Sequence, residues 1–350
     1  MTTMRDVAEH AGVSIATVSF VINNTKPVTQ ATRARIEASM EALGYRPNAV
    51  ARALASRRTR VLALAYPALD HRLGDSGMEF MVAAARRAAE HGYHLMMWPA
   101  ANDGREMTEL LGQRMVDAVI LMEVQLDDPR VHALQASGTP YALIGRTADP
   151  SGSLHVDIDF EQTVTDAVQH LYDLGHRQIV LVTGTQLSES YHNYGPYVRT
   201  ERAFADVTAR LGLTAVIVAC GRDAGAGREL AQRLAAEQPD ATAVVLLNEF
   251  AAIGLPIGLH QLGLRVPEDL SIVSLITSEE MAALAEPTLT IMRSPGAELG
   301  ELAVEHLVRQ MTRGERPAPV LLPSVLVSGE STGAPPAVPI GRRRLGPGGG

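Results

Sequence analysis

Residues 4–24 read MRDVAEHAGVSIATVSFVINN, a run in which two short helical patterns flank a glycine. Thr3 can cap the first helix, and Gly12 follows it at the point where a tight turn needs a left-handed residue. Ser14 can cap the second helix through a backbone N–H three residues later. In that helix three apolar side chains recur at helical spacing and form a buried stripe: Val18, Val21 and Ile22. The pattern predicts a helix-turn-helix.

A third helix from about Gln30 to Leu43 completes a predicted three-helix head over residues 1–45. Residues 1–60 carry nine Lys and Arg against four Asp and Glu, whereas the whole chain carries 31 against 39. A basic head on an acidic body indicates that only the head meets a polyanion. The alternative is an ordinary helical cap on a globular protein, and the basic linker that follows the head favours DNA binding. Three side chains would then face base edges in the major groove: Ile15, Ala16 and Phe20.

The composition is that of a folded protein that stays inside the cell. Hydrophobic residues make up 46% of the chain and charged residues 20%, which is enough to bury a core. One cysteine, Cys220, cannot form an intrachain disulfide. We find no export signal and no apolar run long enough to span a membrane, so we expect a cytoplasmic, nucleoid-associated protein without a membrane partner.

From Val61 onward, apolar runs of strand length alternate with amphipathic helical stretches, which indicates doubly wound parallel sheets. A break near HVDIDFEQ (155–162) predicts two similar lobes within a core that spans residues 61–330. Residues 331–350 are rich in Pro and Gly and are predicted to be a disordered tail. The nine candidate strands are VLALAYP (61–67), YHLMMWP (93–99), DAVILME (117–123), PYALIGR (140–146), QIVLVTG (178–184), AVIVAC (215–220), AVVLLN (243–248), SIVSLI (271–276) and TLTIMR (288–293).

The sequence lacks the motifs of the common α/β enzymes. No phosphate-binding glycine loop follows a strand, and no nucleophile elbow is present. His91 and His94 lack a third ligand nearby, so we interpret them as a surface pair rather than a zinc site. We therefore expect no enzyme activity, no cofactor and no metal.

The chain resembles the LacI/GalR family of transcription regulators over about residues 3–330. The resemblance implies a helix-turn-helix head on a periplasmic-binding-protein-like core of two lobes. It is carried by MRDVAEHAGVSIATVSFVINN (4–24), VTQATRARIEASMEALGYRPNAVARALASRRTR (28–60), LGHRQI (174–179), GLRVPEDLSIVS (263–274), PTLTIM (287–292) and ELGELAVEHL (298–307).

The resemblance also implies roles in DNA binding. Ile15, Ala16 and Phe20 match the family's base-reading positions, and because all three are apolar we expect contacts to thymine methyl groups. Residues 46–60 match the hinge helix and its linker, and Leu54 lies where the family inserts a leucine into the minor groove. Its neighbours in the minor-groove hinge are Asn48, Ala53 and Arg57. The residues expected to contact phosphates are Thr17, Ser19, Asn23, Thr32, Arg33 and Tyr45.

By the same resemblance, a small-molecule effector binds between the two lobes, beyond the carboxyl ends of the strands. At Ile276 the sequence departs from the acidic pair of many sugar-responsive members. This departure, with Arg222 and Arg293, favours an acidic or phosphorylated ligand, or an unusual glycoside, over a plain sugar. Arg202 is a rival to Arg199, because the alignment slips by one there. The expected effector-binding residues are Ser76, Glu123, Arg199, Arg222, Asn248, Ile276 and Arg293.

The sequence therefore predicts a homodimeric transcription regulator, a repressor, that binds a pseudo-palindromic double-stranded DNA operator under effector control. Two copies are needed because one head reads a half-site and a hinge of about nine residues does not fold alone. The alternatives are a solute-binding protein without a regulatory role, a regulator whose cleft is vestigial, and an α/β enzyme with an accessory head.

Overall fold

The computed structural model describes residues 2–23, 26–46, 58–67, 74–184 and 193–342. The chain divides into two compact units. The first comprises Met1–Val61 with Arg114–Asp117, and the second comprises Leu62–Gln113 with Ala118–Gly350. Every helix in the described ranges is too short or too polar to cross a lipid bilayer.

The head contains the predicted helices α1 (Met4–Ala11), α2 (Ile15–Asn23) and α3 (Gln30–Ala42). Thr3 and Asp6 form a reciprocal capping box at the start of α1, and Gly12 ends this helix at φ +58°. The Ser14 hydroxyl accepts from the N–H of Thr17 at 3.1 Å, as the sequence predicts. The head core is closed by one fully buried side chain from each helix: Val7, Val18 and Ile36.

The first lobe of the second unit is an α/β layer around a six-stranded sheet with the order β11-β5-β4-β3-β1-β2. β1 and β3 are buried on both faces, which explains their nearly continuous apolar sequence. The elements of this lobe are β1 (Val61–Tyr66), α4 (Asp75–Glu90), β2 (His94–Pro99), α5 (Arg105–Gln113), β3 (Ala118–Leu121), α6 (Pro129–Ser137), β4 (Tyr141–Ile144), β5 (His155–Ile158), α12 (Gly296–Arg313) and β11 (Val320–Leu322).

The second lobe repeats this arrangement with the strand order β12-β10-β9-β8-β6-β7. β12 is antiparallel to β10, whereas β6–β9 pair in parallel. The elements are α7 (Phe160–Asp173), β6 (Gln178–Gly184), α8 (Gly195–Leu211), β7 (Thr214–Cys220), α9 (Ala224–Glu237), β8 (Ala243–Leu246), α10 (Glu249–Gln261), β9 (Ser271–Thr277), α11 (Glu279–Ala282), β10 (Thr290–Arg293) and β12 (Val325–Val327), and a 3₁₀ turn follows at Ile340–Arg342.

All nine predicted strands are present, and the two-lobe α/β fold is confirmed. The predicted break at 155–162 is where β5 completes the first sheet and α7 begins the second lobe. The chain crosses between the lobes twice more, before α12 and between β11 and β12.

The predicted disordered tail is wrong for residues 331–342, which pack on the second lobe. Ser331 is fully buried; its hydroxyl donates to the Ile272 carbonyl at 2.6 Å and accepts from the Thr290 N–H at 2.7 Å. Ile340 is also fully buried in the core of this lobe. The Pro- and Gly-rich composition predicted disorder because it leaves few apolar residues in this segment. One apolar anchor and a few hydroxyls are enough to hold the segment in place where the neighbouring backbone still needs hydrogen-bond partners. Residues 343–350 lie outside the described residues.

Candidate functional site

The N-terminal half of α2 presents an exposed surface on the head. Ile15 is 44% exposed, and Ala16 is exposed beside it. Phe20 is half-buried, and the Lys26 ammonium lies 4.9 Å from the centre of its ring. An exposed isoleucine at the start of a capped helix leaves an apolar surface that nothing in the described head covers.

The predicted phosphate-contacting residues differ in how far they are exposed and in what they contact. Thr17 and Thr32 are half-buried, and each shares a hydroxyl–hydroxyl contact with the residue that caps its helix. Arg33 lies 4.0 Å from Glu37, and Tyr45 packs against the head core. Ser19 is half-buried on α2, and Asn23 is the last residue of that helix. The four hinge residues, Asn48, Ala53, Leu54 and Arg57, lie outside the described residues.

The end of the linker is fixed by one carboxylate. Asp117 Oδ1 accepts from the Thr59 N–H at 2.6 Å and from the Thr59 hydroxyl at 2.8 Å. Its Oδ2 accepts from the Arg60 N–H at 3.0 Å. Because a carboxylate that accepts three hydrogen bonds holds the backbone firmly, the linker has a defined end point at residues 59–60.

The second unit contains a cavity of about 140 Å³ between its two lobes, at the carboxyl ends of the strands. This is the position that the fold assigns to a ligand. Five of the seven predicted effector-binding residues line the cavity: Ser76, Glu123, Arg222, Asn248 and Ile276.

The structure does not bring the three predicted arginines together. Arg199 lies behind the cavity wall, where its Nη2 donates to the carbonyl oxygens of Arg146 at 2.6 Å and Thr147 at 3.3 Å. Arg293 has a half-exposed side chain 3.7 Å from Glu279 and lines a different cavity. Arg222 is the single arginine among the described lining residues. The rival Arg202 is an exposed residue of α8 and does not line the cavity.

The two lobes are joined on one side of the cavity by backbone hydrogen bonds. The loop after β3 meets the segment before α8, where the Leu126 N–H donates to the Asn193 carbonyl at 2.9 Å and the Gly195 N–H donates to Val124 at 3.2 Å. The Arg199 bonds to the first lobe lie beside them. We call this set of contacts, which joins the two lobes on one side of the cleft, the clasp.

A buried ion pair shapes the loop that forms this clasp. Asp128 and Arg130 are both fully buried and are bonded through two nitrogens of the guanidinium, at 3.0 and 2.7 Å. Arg130 Nη2 also donates to the Glu123 carbonyl at 2.7 Å. Glu123 has a φ of +57°, a strained conformation that turns its side chain out of the strand direction at the cavity. The ion pair thus positions Glu123.

On the other side of the cavity, Glu249 of the second lobe reaches the first lobe. Its Oε2 accepts from the Ser76 N–H at 3.5 Å, at the start of α4. Gly74 leaves the space for this approach, because a Cβ at that position would overlap the Glu249 carboxylate. A carboxylate near a helix N-terminus is also favoured by the helix dipole.

Asn248 precedes Glu249 and stabilises the cleft wall. Its Oδ1 accepts from the Ala251 N–H at 3.2 Å and caps α10, and its Nδ2 donates to the Gly221 carbonyl at 2.8 Å. The loop that carries Arg222 is therefore held against the end of β8.

Asp157 is a cavity residue that the sequence analysis missed. Its Oδ1 accepts from the Ile158 N–H at 2.9 Å. Its Oδ2 lies 3.7 Å from Arg146 Nε and 3.9 Å from Arg199 Nη1, and accepts no hydrogen bond within the part of the chain that the structure describes. Burial raises the pKa of Asp157 to about 6, although the two guanidinium groups oppose the rise. An acidic residue inside the apolar strand HVDI was the available signal.

Tyr194 and Tyr197 are further residues that the sequence analysis missed. Both are buried and line the cavity, with ring centres 4.8 Å apart in an edge-to-face arrangement. Burial raises the pKa of both phenols, and the Arg222 charge acts against that rise. Both rings therefore stay neutral and present an aromatic wall.

We expect the stability contribution of Asp157 to depend on pH in a definite direction. The folded-state pKa of about 6 lies above the ordinary value of 3.8, so the folded chain holds the proton more tightly. The free energy of unfolding should then fall as the pH rises through the folded-state pKa, by about 1 kcal/mol between about pH 5 and about pH 8. Urea unfolding of the wild type and Asp157→Asn at both pH values measures it. The same difference between the two proteins at both pH values would contradict the assignment.

A helix-turn-helix head on a two-lobe core with an inter-lobe cavity defines the class of ligand-controlled DNA-binding regulators. The comparisons with known proteins agree with this class. Residues 3–48 match the family model "Bacterial regulatory proteins, lacI family", and residues 168–332 match a periplasmic binding protein-like domain. The chain belongs to the LacI family of bacterial regulatory proteins, and the protein is a DNA-binding transcription regulator rather than an enzyme.

Relatives of known name cover nearly the whole chain. Catabolite control protein A of Priestia megaterium is 30% identical over 322 residues, which is 89% of this chain and 93% of the relative. The ribose operon repressor of Escherichia coli K12 is 29% identical over 319 residues, 89% of this chain and 94% of the relative. Among solved structures, the lac repressor dimer bound to operator and the anti-inducer ONPF is 27% identical, with a TM-score of 0.81 over 95% of this chain and 99% of that chain.

Proposed function

We propose that this regulator is a repressor that binds a pseudo-palindromic operator as a homodimer. A small molecule bound between the lobes would weaken or strengthen this binding. The observation that carries the proposal is the inter-lobe cavity at the carboxyl ends of the strands, which residues of both lobes line, among them Glu123 and Asn248. This is where such a fold binds ligands, so a molecule in the cavity contacts both lobes at once. We place the protein in the cytoplasm, at the nucleoid.

In this proposal the exposed surface of α2 reads the operator. Ile15 and Ala16 offer apolar contacts to thymine methyl groups, and Phe20 adds a ring beside the Lys26 ammonium. The side chains proposed to fix the register on phosphates are Thr17, Ser19, Asn23, Thr32, Arg33 and Tyr45. The hinge residues Asn48, Ala53, Leu54 and Arg57 are proposed for the minor groove.

The effector acts in this proposal by changing how the lobes close. Ser76, Glu123, Arg222, Asn248 and Ile276 would contact it, together with Asp157. Arg199 is proposed as part of the clasp rather than as a ligand contact, and Arg293 is left out of the effector site. The Glu249 contact with α4 is the one that a bulky ligand would open first, because its hydrogen bond to the Ser76 N–H is long, at 3.5 Å.

The proposed dimer surface lies on the side of the core where α4 meets the crossing between β11 and β12. A second cavity of about 680 Å³ is lined there by the exposed apolar residues Met78, Val82 and Val325. Charged side chains surround them: Glu79, Arg86, Glu280, Arg293 and Glu298. An apolar centre with a charged rim is typical of a surface that binds protein, and we propose a second copy of this chain as the occupant.

Replacing Leu54 by Ala should weaken operator binding at least about 10-fold and binding to random duplex less than about 3-fold. The wedge unstacks a base step only where the two hinges fold on their operator, so a non-specific complex has little to lose. An inverted repeat selected from a random pool provides the operator, and titration at several salt concentrations measures both affinities.

Leu321→Ala is the matched control, because Leu321 is an exposed leucine of the core and should leave both affinities unchanged. An equal loss on both duplexes would contradict the wedge role of Leu54. A wild-type chain that shows no preference for any inverted repeat would contradict operator binding itself. If operator binding holds but no metabolite changes it, the cleft is vestigial.

A further inference from the structure

The linker ends in a closed set of hydrogen bonds at the amino end of two neighbouring strands. Thr59 and Arg60 precede β1, and Asp117 precedes β3. The Asp117 carboxylate accepts from the N–H and the hydroxyl of Thr59, at 2.6 and 2.8 Å, and from the Arg60 N–H at 3.0 Å. We call these three residues and the hydrogen bonds between them the anchor.

The backbone of Val61 closes the anchor from the other side. The Asp117 N–H donates to the Val61 carbonyl at 2.8 Å, and the Thr59 hydroxyl accepts from the Val61 N–H at 3.2 Å. Since the same hydroxyl donates to Asp117, its rotation is fixed. Arg60 has a φ of +58°, in the left-handed region that a residue other than glycine adopts only where its surroundings impose it. The Asp117 carboxylate imposes it here, because it accepts from the Thr59 and Arg60 N–H groups together.

The two strands that follow the anchor are buried in the centre of the first sheet. β1 and β3 pair in parallel from Leu62 and Ala118 onward. Residues 62–65 and 118–121 are fully buried. A close-packed central strand cannot slide along its neighbour without breaking the hydrogen bonds of the ladder. The first lobe therefore determines where the anchor lies.

The opposite end of β3 lies at the inter-lobe cavity. Glu123 follows β3 and lines the cavity, and its carbonyl accepts from Arg130 Nη2 at 2.7 Å. Asp117 and Glu123 are separated by six positions of a strand, which is about 20 Å at ~3.3 Å per residue. A shift of the first lobe against a molecule in the cavity therefore moves the anchor as well.

Loss of the Asp117 carboxylate would lengthen the free part of the linker. Val61 stays bonded to the Asp117 backbone, so the residues set free are Thr59 and Arg60. Two extended residues add up to about 7 Å of reach per protomer. One base pair advances along the axis of B-DNA by ~3.4 Å. The length gained by either linker thus exceeds the axial shift that one extra base pair produces.

We propose that Asp117 is a positioning residue that fixes where each linker leaves the core and thereby determines the half-site spacing that the dimer accepts. This inference rests on the proposed function, since it concerns the same operator complex. Asp117 acts through Thr59 and Arg60 and does not contact DNA. Base sequence is read by α2, whereas spacing is read by the fixed ends of the two linkers.

Titration of the full-length protein on three duplexes tests the proposal. They are the inverted repeat selected from a random pool, and the same repeat with one base pair inserted or removed at its centre. The wild type should bind both altered repeats at least about 10-fold more weakly than the selected one, because its linkers end at fixed points.

Asp117→Ala should bind the selected repeat about 10-fold more weakly than the wild type, since the freed residues have to be ordered again on binding. Its affinities for the three repeats should differ by less than about 3-fold, because the added reach covers the change in spacing. All three repeats should still bind more tightly than random duplex. The affinity for random duplex should equal that of the wild type, because the charges of the head are unchanged.

Asp149→Ala is the matched control. The Asp149 carboxylate also accepts from the N–H and the hydroxyl of one residue, Ser151, but it lies in an exposed loop of the core. This variant should keep the wild-type spacing preference. Thr59→Val removes one hydrogen bond of the anchor from the linker side and should give part of the Asp117→Ala effect. The double variant should show no more than Asp117→Ala alone, because both changes act on one set of contacts.

An Asp117→Ala protein that keeps the wild-type spacing preference would overturn the inference and leave operator binding in place. So would one that binds the three repeats no better than random duplex, because Asp117 would then be needed for specific binding as such. If urea unfolding shows that Asp117→Ala does not fold, Thr59→Val decides, and an unchanged spacing preference there contradicts the anchor. A wild type without preference for any inverted repeat would overturn the proposed function and this inference with it.

Discussion

Replacing Asp128 by Ala should lower the free energy of unfolding of the two-lobe core by about 3–5 kcal/mol, because it leaves the Arg130 guanidinium buried without its counter-charge. Both side chains are fully buried. Asp128 also accepts from the backbone N–H groups of Gln125 and Arg130, so the loop that joins the lobes loses its internal support. The shift of the urea midpoint at fixed protein concentration measures the effect.

Asp127→Ala is the matched control, because the neighbouring carboxylate is exposed and lies 3.3 Å from the exposed His132. It should change the free energy of unfolding by less than about 0.5 kcal/mol. In the double variant Asp128→Ala, Arg130→Met, part of the loss should return, since no unpaired charge remains buried. A single variant Asp128→Ala that unfolds at the wild-type midpoint would show that the pair does not stabilise the loop.

The strands of the two sheets could be predicted because their signal is local. β1, β3 and β8 are buried on both faces and therefore read as continuous apolar runs. β11 and β12 were missed because they have three residues each, and β5 was missed because Asp157 interrupts its apolar run. In the head, the caps of α1 and α2 were predicted as well, since capping depends on residues three positions apart.

The cavity could be predicted only in part, because its composition depends on how the lobes close. Ser76, Glu123, Arg222, Asn248 and Ile276 follow strands or begin helices at the expected edge, so position alone identified them. The role of Arg199 could not be predicted in this way. Its side chain turns to carbonyl groups of the other lobe, and no pattern in YVRTERAF contains that partner.

The charge predicted for the cavity also differs from the charge that the structure places there, because it too depends on how the lobes close. Sequence position suggested that three arginines converge, whereas only Arg222 of the three lines the cavity. Asp157 and Arg199 are 42 positions apart in sequence, and their approach to 3.9 Å is a product of the first crossing between the lobes. Which charged side chains reach a site therefore depends on the fold and cannot be read from sequence position alone.

Replacing Val82 by Glu should weaken the dimer on the order of 1000-fold and abolish the preference for a two-half-site operator. Val82 is 60% exposed on α4, one turn from Met78, and lines the cavity proposed as the dimer surface. A dimer interface is isologous, so each substitution places two carboxylates in the contact. Each would be desolvated at a cost of several kcal/mol, since Arg86 and Arg293 of the same surface already pair with Glu301 and Glu279. Sedimentation at several protein concentrations measures the dissociation constant.

Ile217→Glu separates this effect from a general effect of a surface carboxylate. Ile217 is 44% exposed on β7, at the edge of the second sheet opposite β12, so it lies away from the proposed surface. That variant should remain dimeric and bind operator like the wild type. Because one head reads only a half-site, the Val82→Glu monomer should keep its non-specific affinity for DNA while the specific complex is lost. A dimeric Val82→Glu protein with normal operator affinity would place the partner copy on another face of the core.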